Sequence, residues 1–196
     1  MRRRNITVEV ILPILLLISM SVLAASYPVM ADAADGYNES ASAVYSTELG
    51  FATGGGWFYW PGTTDKTNFG FSVRFDEVSE CVRGSLLIIR HSDSGDVYRL
   101  RSTGFYGLAL GEHGDGFGWT SFSGEAMYSQ DPTGSYQFLV YVEDWNEPGS
   151  GFDQFWVKVT DGDGNIVDAM SMDRDVLDNT ETLQGGNIVV HHRTCG

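Results

Sequence analysis

Residues 69–76, Phe-Gly-Phe-Ser-Val-Arg-Phe-Asp, place four large apolar side chains at every second position. A period of two marks a strand that buries one face, because successive side chains point to opposite sides of the chain. The pattern recurs at Tyr136, Phe138, Val140 and Val142, and again at Phe155, Val157 and Val159. It predicts that Phe71, Val73, Phe138, Val140 and Val157 are buried. Residues 86–89 are apolar at every position, which predicts a central strand covered on both faces. Further strands are expected over 56–60, 97–102, 106–110, 119–128, 166–172 and 187–191. Residues 173–182 fit a loop or a single helical turn. No stretch of ten residues beyond the first 34 carries a helical period.

The connections have turn chemistry. Ser92-Asp93-Ser94-Gly95-Asp96 and Asp161-Gly162-Asp163-Gly164-Asn165 separate strands at hairpin spacing. Glycine supplies positive φ there, and Asp or Asn hydrogen-bonds its own turn. The expected fold is therefore all-β: a single antiparallel meander of about 8–10 strands, closed as a β-sandwich or in a barrel-like way to hide its edges.

The N-terminus reads as an export signal. Arg2, Arg3 and Arg4 precede an apolar run from Val10 to Leu23, and small residues follow at Ala24, Ala25, Ala31 and Ala33. Residues 1–34 are expected to be a signal peptide with its cleavage point open, 35–52 a linker, 53–192 the β-module and 193–196 a tail. Export predicts a secreted or cell-surface protein with no membrane insertion after processing. The chain has 12 basic and 26 acidic side chains; three Arg and two acids lie in residues 1–34, leaving 9 and 24, a net −15. Such a charge is repelled by phosphate backbones and excludes nucleic acid as the expected partner. It suits a soluble exported protein, or one that collects cations; the expected partner is a polysaccharide or a surface protein. Cys81 and Cys195 form a disulfide or remain two thiols. As a bridge they would contribute up to about 4–5 kcal/mol through the long loop that they close.

Trp145-Asn146-Glu147-Pro148 contains the Asn-Glu-Pro tripeptide that carries the general acid of many barrel-shaped glycoside hydrolases. That (β/α)8 fold needs about 250 residues and eight helices, which the pattern here does not provide. The tripeptide falls between two strands, with Pro148, Gly149 and Gly151 as turn residues. Glu147 is therefore expected to build a turn rather than to donate a proton. A hydrolase would need a second carboxylate at a fixed distance, and Asp144 or Asp153 would have to supply it. His91, His113, His191 and His192 stand in no Ser-His-Asp order.

Several segments carry a family resemblance. Thr53-Gly54-Gly55-Gly56-Trp57-Phe58, residues 65–71 (DKTNFGF), 84–91 (GSLLIIRH), 106–112 (YGLALGE), 121–124 (SFSG), 140–144 (VYVED), 146–149 (NEPG) and 185–190 (GGNIVV) occur in that order. Together they resemble the post-COAP domain family, modules of exported and cell-surface proteins of bacteria and archaea. The resemblance covers about residues 53–192. It implies export, an all-β module and an Asn-Glu-Pro-Gly turn that belongs to the module. The family has no established activity, so no catalytic residue is carried over. The tail 193–196, which holds Cys195, runs past the module's usual ending.

Three functions follow as expectations. The first is a non-enzymatic exported β-module with a structural or adhesive role. The second is a carbohydrate-binding module that uses exposed aromatics, with Trp145, Trp57 and Trp60 as candidates. The third is a secreted hydrolase. Calcium is the candidate cofactor, with Asp144, Glu147 and Asp153 as its ligands, because hard cations take clustered oxygens. Asp161-x-Asp163-x-Asn165 begins like an EF-hand loop. It lacks the glycine at the sixth position, here Ile166, and the glutamate at the twelfth, here Met172, so it is expected to be a hairpin turn.

Overall fold

The computed structural model describes residues 50–113, 116–172 and 180–191. Nine strands follow one another: β1 (Phe51–Tyr59), β2 (Lys66–Asp76), β3 (Cys81–His91), β4 (Val97–Glu112), β5 (Gly118–Tyr128), β6 (Asp131–Asp144), β7 (Gln154–Asp161), β8 (Glu181–Thr182) and β9 (Gly185–His191). All pairings are antiparallel, in the order β8-β7-β6-β5-β4-β3-β2-β1-β9. This single sheet curls into a half-barrel. A meander of this kind needs only short turns, and those at 92–96 and 161–165 fall where the sequence places them. At 161–165 the Asp161 carboxylate accepts N–H bonds from Asp163 and Asn165, and Gly164 takes φ +84°. The EF-hand-like start is thus a hairpin turn.

The inner face of the curl is aromatic. Phe58, Phe69 and Phe155 pack with centroids 4.4–6.1 Å apart, and Phe71 meets Phe122 at 5.1 Å. Phe71, Val73, Phe138, Val140 and Val157 are all buried there, as alternation requires.

Three local expectations are corrected. The strands expected over 97–102 and 106–110 are one strand, β4, with register shifts between Ser102 and Gly104 and between Phe105 and Gly107. Each bulge inserts a residue and reverses the alternation. Leu100 therefore points inward at an even position, Phe105 at an odd one, and Leu108 and Leu110 at even ones again. The bulges also bend the sheet, which helps it to curl. Second, β3 is covered on one face only: Leu86 and Ile88 are buried, but Leu87 is 39% exposed. Third, residues 166–172 form no strand. Val167 and Met172 donate N–H bonds to Val159 and Val157 of β7. Between them a 3-10 turn, Asp168–Met170, breaks the ladder and drops Met170 into the core.

That turn is held by a buried pair. Arg90 meets Asp65 at 2.6 Å, donates to the Ala169 carbonyl at 2.7 Å and lies over the Trp60 ring. Burial works against the Asp65 charge. The Asp93 N–H and the Arg90 guanidinium outweigh it and hold the carboxyl below its ordinary value.

Candidate functional site

The β6–β7 hairpin, which contains Asn-Glu-Pro, joins the two ends of the sheet. β8 pairs with β7 at one end of the strand order, and β9 pairs with β1 at the other, yet only Leu183 and Gln184 separate them. Leu183 donates its N–H to Asp153, and Gln184 donates its own to Trp57 of β1. The far edge of β9 would otherwise present bare N–H groups. Asp153 Oδ2 accepts from Ile188 at 2.7 Å, and Asp144 Oδ2 accepts from Val190 at 3.0 Å. Two carboxylates thus stand where a neighbouring strand's carbonyls would stand. Asp153 Oδ1 also accepts from the Trp145 N–H at 3.0 Å. Asn187 Nδ2 donates to Glu147 Oε2 at 2.9 Å, and Gly149 N–H donates to Asn187 Oδ1. A Cβ at Gly149 would collide with the Asp153 carboxylate, so this turn position requires glycine.

Asp144, Glu147 and Asp153, the residues expected to hold a cation, are engaged here with the backbone of β9 and of the hairpin and with Asn187. Among the described residues no group of three or more His, Cys, Asp or Glu is placed to hold a metal ion. Asp153 gives both oxygens to backbone N–H groups and Asp144 gives Oδ2, while Asp144 Oδ1 is buried with no hydrogen-bond partner among the described residues, and Glu147 bonds Asn187. The two aspartates also lie out of a substrate's reach, at 3% and 0% exposure.

Burial has an electrostatic consequence. It pushes Asp144 up to about 6; the Val190 N–H opposes this, and the Asp153 and Glu147 charges add to it. Asp153 is raised as well, by burial first, against N–H bonds from Trp145, Ile188 and Asn146. Glu181 is raised by burial alone. A carboxyl whose folded pKa exceeds its unfolded value binds extra protons when folded, so stability falls as pH rises through that window. Asp131 and Asp161 are shifted downward by their turn hydrogen bonds and lose stability at the acid end. The melting temperature should therefore rise as pH is lowered from about 7 to about 5, and fall again below about 4. Asp144→Asn should flatten the upper limb. An unchanged upper limb in that variant, read by calorimetry across pH, would contradict this account of Asp144.

The outward face of β5 and β6 at the same end carries a different cluster. Trp119 lies directly opposite Glu143 in the ladder, and Tyr141 is one outward position further along β6. Trp119 and Tyr141 stack at 5.9 Å with 27° between their rings. The Tyr141 hydroxyl donates to Glu143 Oε1 at 2.7 Å, and the Trp145 indole N–H donates to Oε2. His113 stacks on Trp145 at 4.0 Å, and Trp145 is still 43% exposed. Opposite Trp119 on β4 lies Gly111. Its missing Cβ leaves the space that the indole occupies.

Of the aromatics expected to bind a ligand, only Trp145 belongs to this row. Trp57 is half-buried, with Lys66 Nζ 4.3 Å above its ring and Tyr59 against its edge. Trp60 is 5% exposed beneath Arg90 and offers no free ring face. It borders a shallow groove with Trp156, Lys158 and Asp168. Trp156 is 2% exposed, so both indoles that line the groove are buried. Trp119, Tyr141 and Glu143 are brought together by the register of β5 against β6. They occupy the phase opposite to the inward Phe122, Phe138 and Val142. Cys81, at the start of β3, is an exposed thiol 3.0 Å from the Ser79 hydroxyl; its expected partner Cys195 lies outside the described residues. Residues 1–34 and the linker up to residue 49 also lie outside them.

No family model matches the chain, and no curated protein and no solved structure matches it. Among the described residues no helix is long and apolar enough to cross a membrane.

Proposed function

We propose that the chain is a non-enzymatic, exported β-module that binds a polysaccharide on the outward face of β5 and β6. The observation that carries this reading is the row Trp119, Tyr141 and Trp145 gathered around the Glu143 carboxylate. Aromatic rings offer apolar faces to the C–H faces of sugars, and a few fixed polar groups set orientation. Glu143 is such a group: two protein donors fix its position, and its remaining lone pairs can accept sugar hydroxyls. The basic start and apolar run of residues 1–34 support export, and the order of motifs supports a post-COAP-like module. A surface role in adhesion or structure fits the same reading, with the bound polymer as what the module adheres to. The β6–β7 hairpin serves as the seam of a barrel-like closure and holds the face rigid.

The test is a depletion assay against insoluble polysaccharides, with soluble competitors. Wild-type protein should be retained by at least one polymer. Trp145→Ala and Trp119→Ala should each weaken retention by about tenfold or more, the scale of losing one well-packed anchor. Ile166→Ala, on an exposed residue away from the row, should bind as wild type. Retention that survives both tryptophan changes, or no retention by any polymer, would overturn the reading. No polymer should be cleaved. A turnover abolished by Glu147→Gln would restore the hydrolase alternative.

A further inference from the structure

We propose that the sugar held by this face carries a positive charge, and that Glu143 selects an amino sugar over its neutral, N-acetylated counterpart. This rests on the polysaccharide reading above and adds the chemical class of the ligand.

Glu143 sits among rings, with no cation paired to it among the described residues. Among the described residues the ion pairs are Arg83 with Asp76 and Arg90 with Asp65, and Glu143 belongs to neither. Among the described residues its oxygens accept from a phenol and an indole, both neutral donors. Burial, then the Glu143 charge itself, pushes the Tyr141 phenol up, so this hydroxyl stays a donor and does not compete for a cation. The rings beside the carboxylate add to the same preference, because the faces of Trp and Tyr attract cations. A neutral sugar would use the ring faces and offer the carboxylate only neutral hydroxyl donors. An ammonium group would also form a charge-assisted hydrogen bond to Glu143. The chain's net charge of −14 would speed the approach of such a ligand and oppose uronate or sulfated polymers. Lys158 projects from β7 opposite Leu139, two residues along β6 from Tyr141, and leaves the carboxylate end of the row acidic.

The discriminating experiment uses soluble tetramers, glucosamine against N-acetylglucosamine, titrated by calorimetry at about pH 6, where a sugar amine is protonated. The glucosamine tetramer should bind about tenfold or more tightly, the combined scale of a charge-assisted hydrogen bond and a cation–π contact. Glu143→Gln should collapse that ratio toward one. Asp163→Asn removes the same charge from a distant turn and should leave the ratio unchanged. That control separates a local effect from the attraction of any cation to an acidic protein. The wild-type ratio is itself a test that needs no variant to fold. Equal binding of the two tetramers would overturn this inference and leave the polysaccharide reading standing. Failure to bind either would also overturn this inference, and the depletion assay against other polymers would then decide the polysaccharide reading. A lysine tetrapeptide that binds as tightly as the amino sugar, with the same loss in Glu143→Gln, would show a general cation site and contradict selection for a sugar.

Discussion

Asp153→Ala is expected to lower stability by about 3–6 kcal/mol, which for a domain of this size is a fall in melting temperature of roughly 10–20 °C. Asp153 is fully buried, and its carboxylate satisfies the N–H groups of Trp145 and Ile188. Alanine supplies no acceptor, and an orphaned buried N–H costs about 1–3 kcal/mol. Loss of the Ile188 bond also frees one side of β9, which leaves Asp144 to hold that edge through Val190. The raised pKa of Asp153 sets a limit on the effect: burial already disfavours its charged form, so removing it returns part of that cost. The orphaned donors outweigh that return, because two strands meet at this one side chain. Amide exchange should quicken first at Ile188 and Val190. A melting temperature within about 3 °C of wild type would contradict the assignment of Asp153 as the pin of the seam.

Phe138→Ala should cost about 3–5 kcal/mol through a different route, the loss of a large side chain from a packed interior. Phe138 is buried on the inner face of β6, with Phe105 edge-on at 5.6 Å and Phe122 at 6.3 Å. Phe105 is there because the β4 bulges turn it inward, so the two rings fill space that the curl creates. Neighbouring strands flank the site on both sides, Gly124 of β5 and Val159 of β7, which limits how far the sheet can collapse into the void. The denaturation midpoint should shift with an unchanged denaturant slope. A neutral result would place Phe138 outside the core.

The contrast between these residues explains what the sequence disclosed. Phe138 advertises itself through the alternation of its own strand, which is local information. The strands that alternate cleanly, β2, β6 and β7, were legible for that reason. β4 was not, because bulges at two places reset the phase, and nothing in a run such as Arg101-Ser102-Thr103-Gly104 says which residue is the extra one. Leu87 misled in the opposite direction: an apolar side chain on an open sheet face looks in sequence like one under a covering layer. The seam left no local mark at all. Asp153 bonds Ile188 across 35 residues and Asp144 bonds Val190 across 46, and acids in a glycine-rich loop suggest a cation as readily as a backbone edge. The proposed binding face stood between these cases. Tyr141 lies in the outward phase of a strand whose inward phase the alternation assigns, whereas Trp119 lies in a strand expected without a phase. Their convergence on Glu143 and Trp145, however, depends on the register of β5 against β6, which the sequence does not state.

The central claim is that ligand meets the outward face of β5 and β6. The five tryptophans, Trp57, Trp60, Trp119, Trp145 and Trp156, each carry one indole N–H and give five resolvable signals in a nitrogen-edited proton spectrum. Titration with a soluble oligosaccharide should move the signals of Trp119 and Trp145 and leave those of Trp60 and Trp156 in place. Movement confined to Trp60 and Trp156, or to no indole at saturating oligosaccharide, would contradict it.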